Sequence, residues 1–309
     1  MARLPNTDGT SDRESSANES KRRLRQQASL QLGVMETAHI FCGKYQQILH
    51  HLSLKTMFPR MFIWYMRVAA PQRCGLLAKA PFAKSKYWHP SLGLEGDTIA
   101  FVREHIPQIL VPEVIYSWID EDRTFLILKR VQGVTLRDAW LLFSSLQRDL
   151  ILKEIASICD LLALKTSAKL QSVSEKALPE RFLAVAKDGF VGPLTLTESR
   201  KYFTVLDSNL CPKIGKDFYL YHADLGPGNI MVSKDGSITG ILDWEAAGFY
   251  PHFWIVTKPS VAPGLDFSPH IAGIEEFEWR KQLRLELENR GYPQASGWYM
   301  EWRRARPKK

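Results

Sequence analysis

The chain has 309 residues, 45% apolar and 24% charged, the make-up of a globular protein with a sizeable core rather than a disordered or fibrous one. No run approaches the ~18 apolar residues of a membrane helix, since the best stretch, residues 61–70, is short and carries Arg67. The net charge of +8 would suit nucleic acid, yet Lys21, Arg22, Arg23 and Arg25 at one end and Arg303, Arg304, Arg306, Lys308 and Lys309 at the other outnumber it, which argues against a basic groove on a folded face.

Residues 1–30 are rich in Ser, Asn, Asp, Glu and Arg and poor in large apolar groups, so a disordered polar tail is expected there. That stretch has no apolar core of a secretory signal, and Cys42, Cys74, Cys159 and Cys211 stand at no metal-ligand spacing. A cytoplasmic protein with free thiols is the expectation. Strands are predicted at 62–68 and 75–80, then a helix opening near Pro90-Ser91 and running to about His105 on Leu94, Thr98, Phe101 and Val102. Pro107 and Pro112 end it. Residues 114–118 and 124–128 read as strands around the acidic turn Asp120-Glu121-Asp122, and a lobe boundary is expected at 131–133.

The second half opens on Ile151, Ile155, Ile158 and Leu162, one face of a long buried helix. A loop over 167–194 and a helix over 196–210 follow, then an apolar strand at 218–221 that delivers His222. Residues 230–232 and 238–242 flank Lys234-Asp235-Gly236, a tight hairpin. A strand-rich first half joined by one short link to a helix-rich second half makes an α+β, bilobal arrangement. The expected division is a tail at 1–30, a small lobe at 31–132, a larger lobe at 133–300 and a solvated basic tail at 301–309.

Chemistry concentrates in Tyr221-His222-Ala223-Asp224-Leu225-Gly226-Pro227-Gly228-Asn229, followed after the hairpin by Leu242-Asp243-Trp244-Glu245. Phosphoryl transfer needs a carboxylate to take the proton of the attacking hydroxyl, which suits Asp224. It also needs hard oxygen ligands from separate segments to hold Mg²⁺ against phosphates, which suits Asn229 and Asp243. The hairpin folds residue 243 back beside residue 229.

His-x-Asp-(four)-Asn, then strand, turn, strand and Asp, resembles the catalytic and metal loops of protein kinases. Asp243-Trp244-Glu245 resembles the aminoglycoside phosphotransferase family and its choline-kinase and small-molecule-kinase relatives, and the run from Gly240 to Pro251 looks like its fungal members. The similarity continues through 101–105, 111–114, 126–133 and 135–140, so it covers about residues 75–255. It implies a bilobal protein-kinase-like fold, ATP and Mg²⁺ as cofactors, and transfer to the hydroxyl of a small molecule, while the charge distribution and the lack of a long apolar run argue against nucleic acid and membrane as partners. Asp224 becomes the catalytic base and Asn229 and Asp243 the metal ligands. Glu245 becomes a supporting residue that orients a ligand, and His222 packs beneath the loop. In the first lobe a lysine should reach the α- and β-phosphates and pair with a glutamate: Lys79 is favoured over Lys84 and Lys86 because of its apolar approach Leu76-Leu77-Ala78, with Glu95 as partner. The adenine should lie against the link near Lys129 and Val131, although relatives often carry an acidic residue where Lys129 stands.

Two departures stand beside the resemblance. Between the tail and Lys79 the glycines Gly33, Gly43 and Gly75 stand too far apart to make a glycine-rich phosphate loop, and the chain extends only 64 residues beyond Glu245. Both features support an alternative, a catalytically weak or inactive pseudokinase that binds nucleotide or a partner. Glu275, Glu276 and Glu278 are candidates for a cationic acceptor, with a solvated helix face as the plainer reading. The acceptor's identity and the oligomeric state are not encoded in any motif.

Overall fold

A computed structural model describes residues 81–185, 188–204, 211–267 and 278–306. The expected strands at 62–68 and 75–80, the tail at 1–30, Lys79, Glu275 and Glu276 lie outside the described residues.

The first part is an antiparallel sheet of β1 (Phe82–Tyr87), β2 (Val114–Asp120) and β3 (Arg123–Leu128), in the order β1-β3-β2. The acidic turn joins β2 to β3 with Glu121 in the left-handed region at φ 51°. Helix α1 (Glu95–His105) packs on this sheet through Thr98, Ile99 and Val102. It begins four residues later than the Pro90-Ser91 signal suggested, because Leu92 is held in a bridge to Ala177 before the helix opens. Gly96 allows the close approach of α1 to β2, for a Cβ there would stand 2.8 Å from Ser117 Oγ.

Beyond the link, β4 (Val134–Thr135) leads into α2 (Leu136–Ala139). The long α3 (Ser145–Ala163) follows, opened by a reciprocal capping box between Ser144 and Gln147. Ile151, Ile155, Ile158 and Leu162 are all buried, as the spacing predicts. Among its described residues, the stretch expected to be loop holds only two-residue strands, β5 (Thr166–Ser167), β6 (Lys169–Leu170) and β7 (Leu194–Thr195). Helix α4 (Leu196–Phe203) starts at the predicted residue but stops early, with Thr204 already extended.

The strands that flank the two motifs are β8 (Phe218–Tyr221), β9 (Ile230–Val232), β10 (Ile238–Ile241) and β11 (Gly248–Tyr250). β9 and β10 form the predicted hairpin, and Gly236 at φ 94° supplies the left-handed turn residue. β4 pairs with β9, and β8 lies between β11 and β5. Then come α5 (Trp254–Val261), α6 (Glu278–Asn289) and α7 (Ser296–Ala305).

The expected basic tail from residue 301 is corrected here, because α7 runs through it to Ala305. Trp298, Tyr299 and Trp302 are buried on one helix face, against Phe203 and Phe253. Arg303 donates to Ala184 O at 3.0 Å and Arg306 donates to Tyr202 O, so these guanidiniums clasp the lobe instead of trailing in solvent. The strand-rich first part and helix-rich second part make the α+β, bilobal, protein-kinase-like architecture. No described helix is long and apolar enough to cross a membrane.

Candidate active site

β8 is an apolar strand whose Phe218, Leu220 and Tyr221 are buried, and it ends by driving His222 into the core. His222 Nδ1 accepts from Asp224 N at 3.2 Å, and Nε2 lies 3.0 Å from Leu242 O, to which it donates. Burial lowers its pKa to about 4, so the ring stays neutral and pins the two chemical loops to each other. Trp244 stands edge-on over it at 4.6 Å. His222 is thus fully buried between the two loops.

Ala223 and Asp243, immediately before and within the two motifs, both adopt left-handed backbone at φ 63° and 61°. Residues with a Cβ resist this region by about 1–2 kcal/mol each, a strain concentrated where the side chains must be aimed. Asn229 Nδ2 donates to Asp224 Oδ2 at 3.0 Å and to Asp224 O at 2.9 Å. Leu242 N donates to Asn229 O at 2.7 Å, so the hairpin does bring residue 243 beside residue 229. Asp224 is half-buried, and desolvation raises its carboxyl pKa, with the positive charge of Lys258 working against that.

From the other lobe, Lys84 reaches into the same place. Its Nζ lies 2.8 Å from Glu95 Oε2, 2.5 Å from Asp243 Oδ1 and 3.0 Å from Glu245 Oε2. Glu95 Oε1 also accepts from Trp244 N at 3.2 Å, tying α1 to the Asp243-Trp244-Glu245 segment. Burial works against the charge on Lys84, but Glu95, Glu245 and Asp243 outweigh it and hold the ammonium protonated. Burial, then the neighbouring Glu245, pushes Asp243 up to about 7. Burial opposes ionisation of Glu245, yet Lys84 and Lys86 pull it down to about 2.

Lys84 stands at the place beside Glu95 that the sequence offered to Lys79, and Lys79 itself lies outside the described residues. The reason is strand alternation. Lys84 is the buried position of β1, in register with Leu126, so its side chain turns inward. The structure does not bring Lys129 to this cluster: its side chain is exposed and pairs with Glu113 at 3.1 Å, while its N–H donates to Glu113 O at 2.8 Å. Val131 lies against Gly240 of β10, next to the hairpin.

Sequence reasoning missed one buried ion pair altogether. Lys258 Nζ on α5 is 2.5 Å from Glu180 Oε2, both side chains nearly solvent-free, with the ammonium 4.6 Å from the Phe182 ring. Neither residue falls in a motif, and 78 positions separate them.

Magnesium requires hard oxygen donors, and the residues present fit it. The amide nitrogen of Asn229 is turned to Asp224, so its Oδ1 is the side-chain atom left to serve a metal. Carboxylate oxygens of Glu95, Asp243 and Glu245 lie within 4.8 Å of one another.

Comparison with known proteins extends these observations. The pattern of the phosphotransferase enzyme family matches residues 76–253. Comparison with curated proteins gave no match. Among solved structures, the chain is similar to an aminoglycoside-3'-phosphotransferase of type VIII at 15% identity, over 73% of this chain and 84% of that one, with a TM-score of 0.44. It is similar to the aminoglycoside phosphotransferase APH(4)-Ia at 22% identity, over 72% and 76% of the two chains, TM-score 0.44. A third, the aminoglycoside phosphotransferase APH(3'')-Id from Streptomyces rimosus in complex with ADP and streptomycin, is 15% identical over 73% and 91%, TM-score 0.44. The family pattern spans both halves of the site, from the strand bearing Lys84 to the segment after Glu245, and covers more than half of the chain, which therefore belongs to the phosphotransferase enzyme family.

Proposed function

We propose that this protein is an ATP- and Mg²⁺-dependent phosphotransferase that phosphorylates the hydroxyl of a small molecule. The observation that carries this reading is the convergence of Asp224, Asn229, Asp243 and the Lys84–Glu95 pair, supplied by separate segments, at one place. Fold stability alone has no use for such a set, since buried carboxylates grouped around one ammonium carry a large desolvation cost.

Asp224 receives the proton of the attacking hydroxyl, its Oδ2 held by Asn229 and its backbone N–H by His222. Asn229 and Asp243 hold the metal, and Lys84, aligned by Glu95, binds the phosphates. The metal, when bound, offsets negative charge on the transferring phosphoryl group. Glu245 steadies the lysines of β1. The link at Lys129 and Val131 is proposed to border the adenine, and the lobe boundary is proposed beside it.

The pseudokinase alternative is favoured by one observation, the direct contact of Lys84 with Asp243, which a nucleotide and metal must loosen. Melting temperature measured with Mg²⁺, ATP, both and neither separates the two, with Asp243→Ala alongside. A ligand at ~100 times its Kd adds about 2.7 kcal/mol to the native state. A Mg²⁺-dependent ATP shift lost in the variant is the expected result. No shift at millimolar ATP would remove the phosphotransferase reading.

A further inference from the structure

β1 carries two lysines, Lys84 and Lys86, two residues apart and so directed to the same face of the strand. An ammonium has three N–H donors. Lys84 donates to Glu95 and Asp243 and is also ion-paired with Glu245 at 3.0 Å. Lys86 meets Glu245 Oε2 at 3.1 Å, on the same oxygen that Lys84 touches. Among the described residues its other two donors are uncommitted. Its side chain is also more accessible, 17% exposed against 5% for Lys84.

Charge points the same way. Three carboxylates, Glu95, Asp243 and Glu245, face two ammoniums, so the cluster is net negative where a polyphosphate has to enter. Lys84 alone is already surrounded by acid. The backbone amides of a glycine-rich loop are the usual further donors to phosphate, yet the glycines of residues 31–78, Gly33, Gly43 and Gly75, are scattered ten or more positions apart.

We propose that Lys86 is a second phosphate-binding residue, its ammonium donating directly to the phosphate oxygens of the nucleotide beside Lys84. This rests on the phosphotransferase reading. It differs from a purely indirect role, in which Lys86 only neutralises Glu245 so that Lys84 can turn.

Calorimetric titration of the full chain with adenosine, and with ATP plus Mg²⁺, tests it in wild type, Lys86→Met, Lys86→Arg, Glu245→Gln and the Lys86→Met/Glu245→Gln double variant. A lost charge-assisted contact predicts about tenfold weaker Mg²⁺-ATP binding in Lys86→Met. Adenosine affinity should stay at the wild-type value, Lys86→Arg should recover most of the loss, and the loss should persist in the Glu245→Gln background. Wild-type Mg²⁺-ATP affinity in Lys86→Met overturns the proposal, as does an equal loss for adenosine or a loss that vanishes once Glu245 is neutral. A folded wild-type protein that binds neither adenosine nor Mg²⁺-ATP overturns the underlying reading instead, and the inference with it.

Discussion

Replacing Lys84 by methionine removes the ammonium from the centre of three nearly solvent-free carboxylates while keeping the length of the side chain. Breaking a buried ion pair at one partner costs about 3–5 kcal/mol, since the other charge is left uncompensated. Lys86 still holds Glu245 at 3.1 Å, which places the expected loss toward the lower end of that range. The loss should depend on pH. In the wild type Glu245 is held down near 2, so its contribution is present above the ordinary carboxylate pKa and is lost only in strong acid. Asp243, raised to about 7, has the opposite sign, favouring the fold at low pH and ceasing to do so as pH rises through 7. Without Lys84 both carboxyls lose an attractive partner and shift upward, so both favour protonation in the folded state. The deficit is therefore greatest above pH 7 and narrows toward pH 4. Urea unfolding of the two proteins at pH 8 and pH 5 measures it. A deficit equal at the two pH values, or below about 1 kcal/mol at pH 8, refutes the reasoning that the cluster is electrostatically coupled and buried.

Two other outcomes follow from the same structure. Asp224→Asn keeps the shape and the loop contacts, so it should melt like the wild type while turnover falls by about 10²–10⁴, the usual share of a general base; a quenched ATP-to-acceptor assay measures this, and undiminished turnover removes Asp224 from its role. Trp302→Ala should cost about 3–5 kcal/mol in denaturant unfolding, because the indole is fully buried and donates to Tyr202 O at 3.1 Å, whereas a solvated tail would lose nothing.

The carboxylates and amide of the site were legible because they sit in two short motifs whose spacing encodes the hairpin between them. Asp224, Asn229 and Asp243 need only local chain geometry to converge, and Gly236 supplies the turn. Glu95 was legible as the acid at the start of the helix after a lysine-bearing strand. The choice among lysines was not, for a linear reading weighs apolar neighbours while the fold decides by which face of β1 is turned inward. The C-terminal segment misled for a related reason. Its arginines dominate a charge count, but Trp298 and Trp302, four residues apart, set which face is buried and draw the arginines in with them.

By itself, the sequence determined the strand–helix division, the hairpin, the buried face of α3 and the closeness of Asp224 and Asn229. All of these depend on periodicity or on contacts close in the chain. Tertiary structure alone decided that Lys84 meets acids 11, 159 and 161 positions away, that Lys86 shares Glu245 with it, and that Lys258 finds Glu180. Buried charges pair with whatever the packed core places within a few ångströms, and that neighbourhood exists only after the segments have come together.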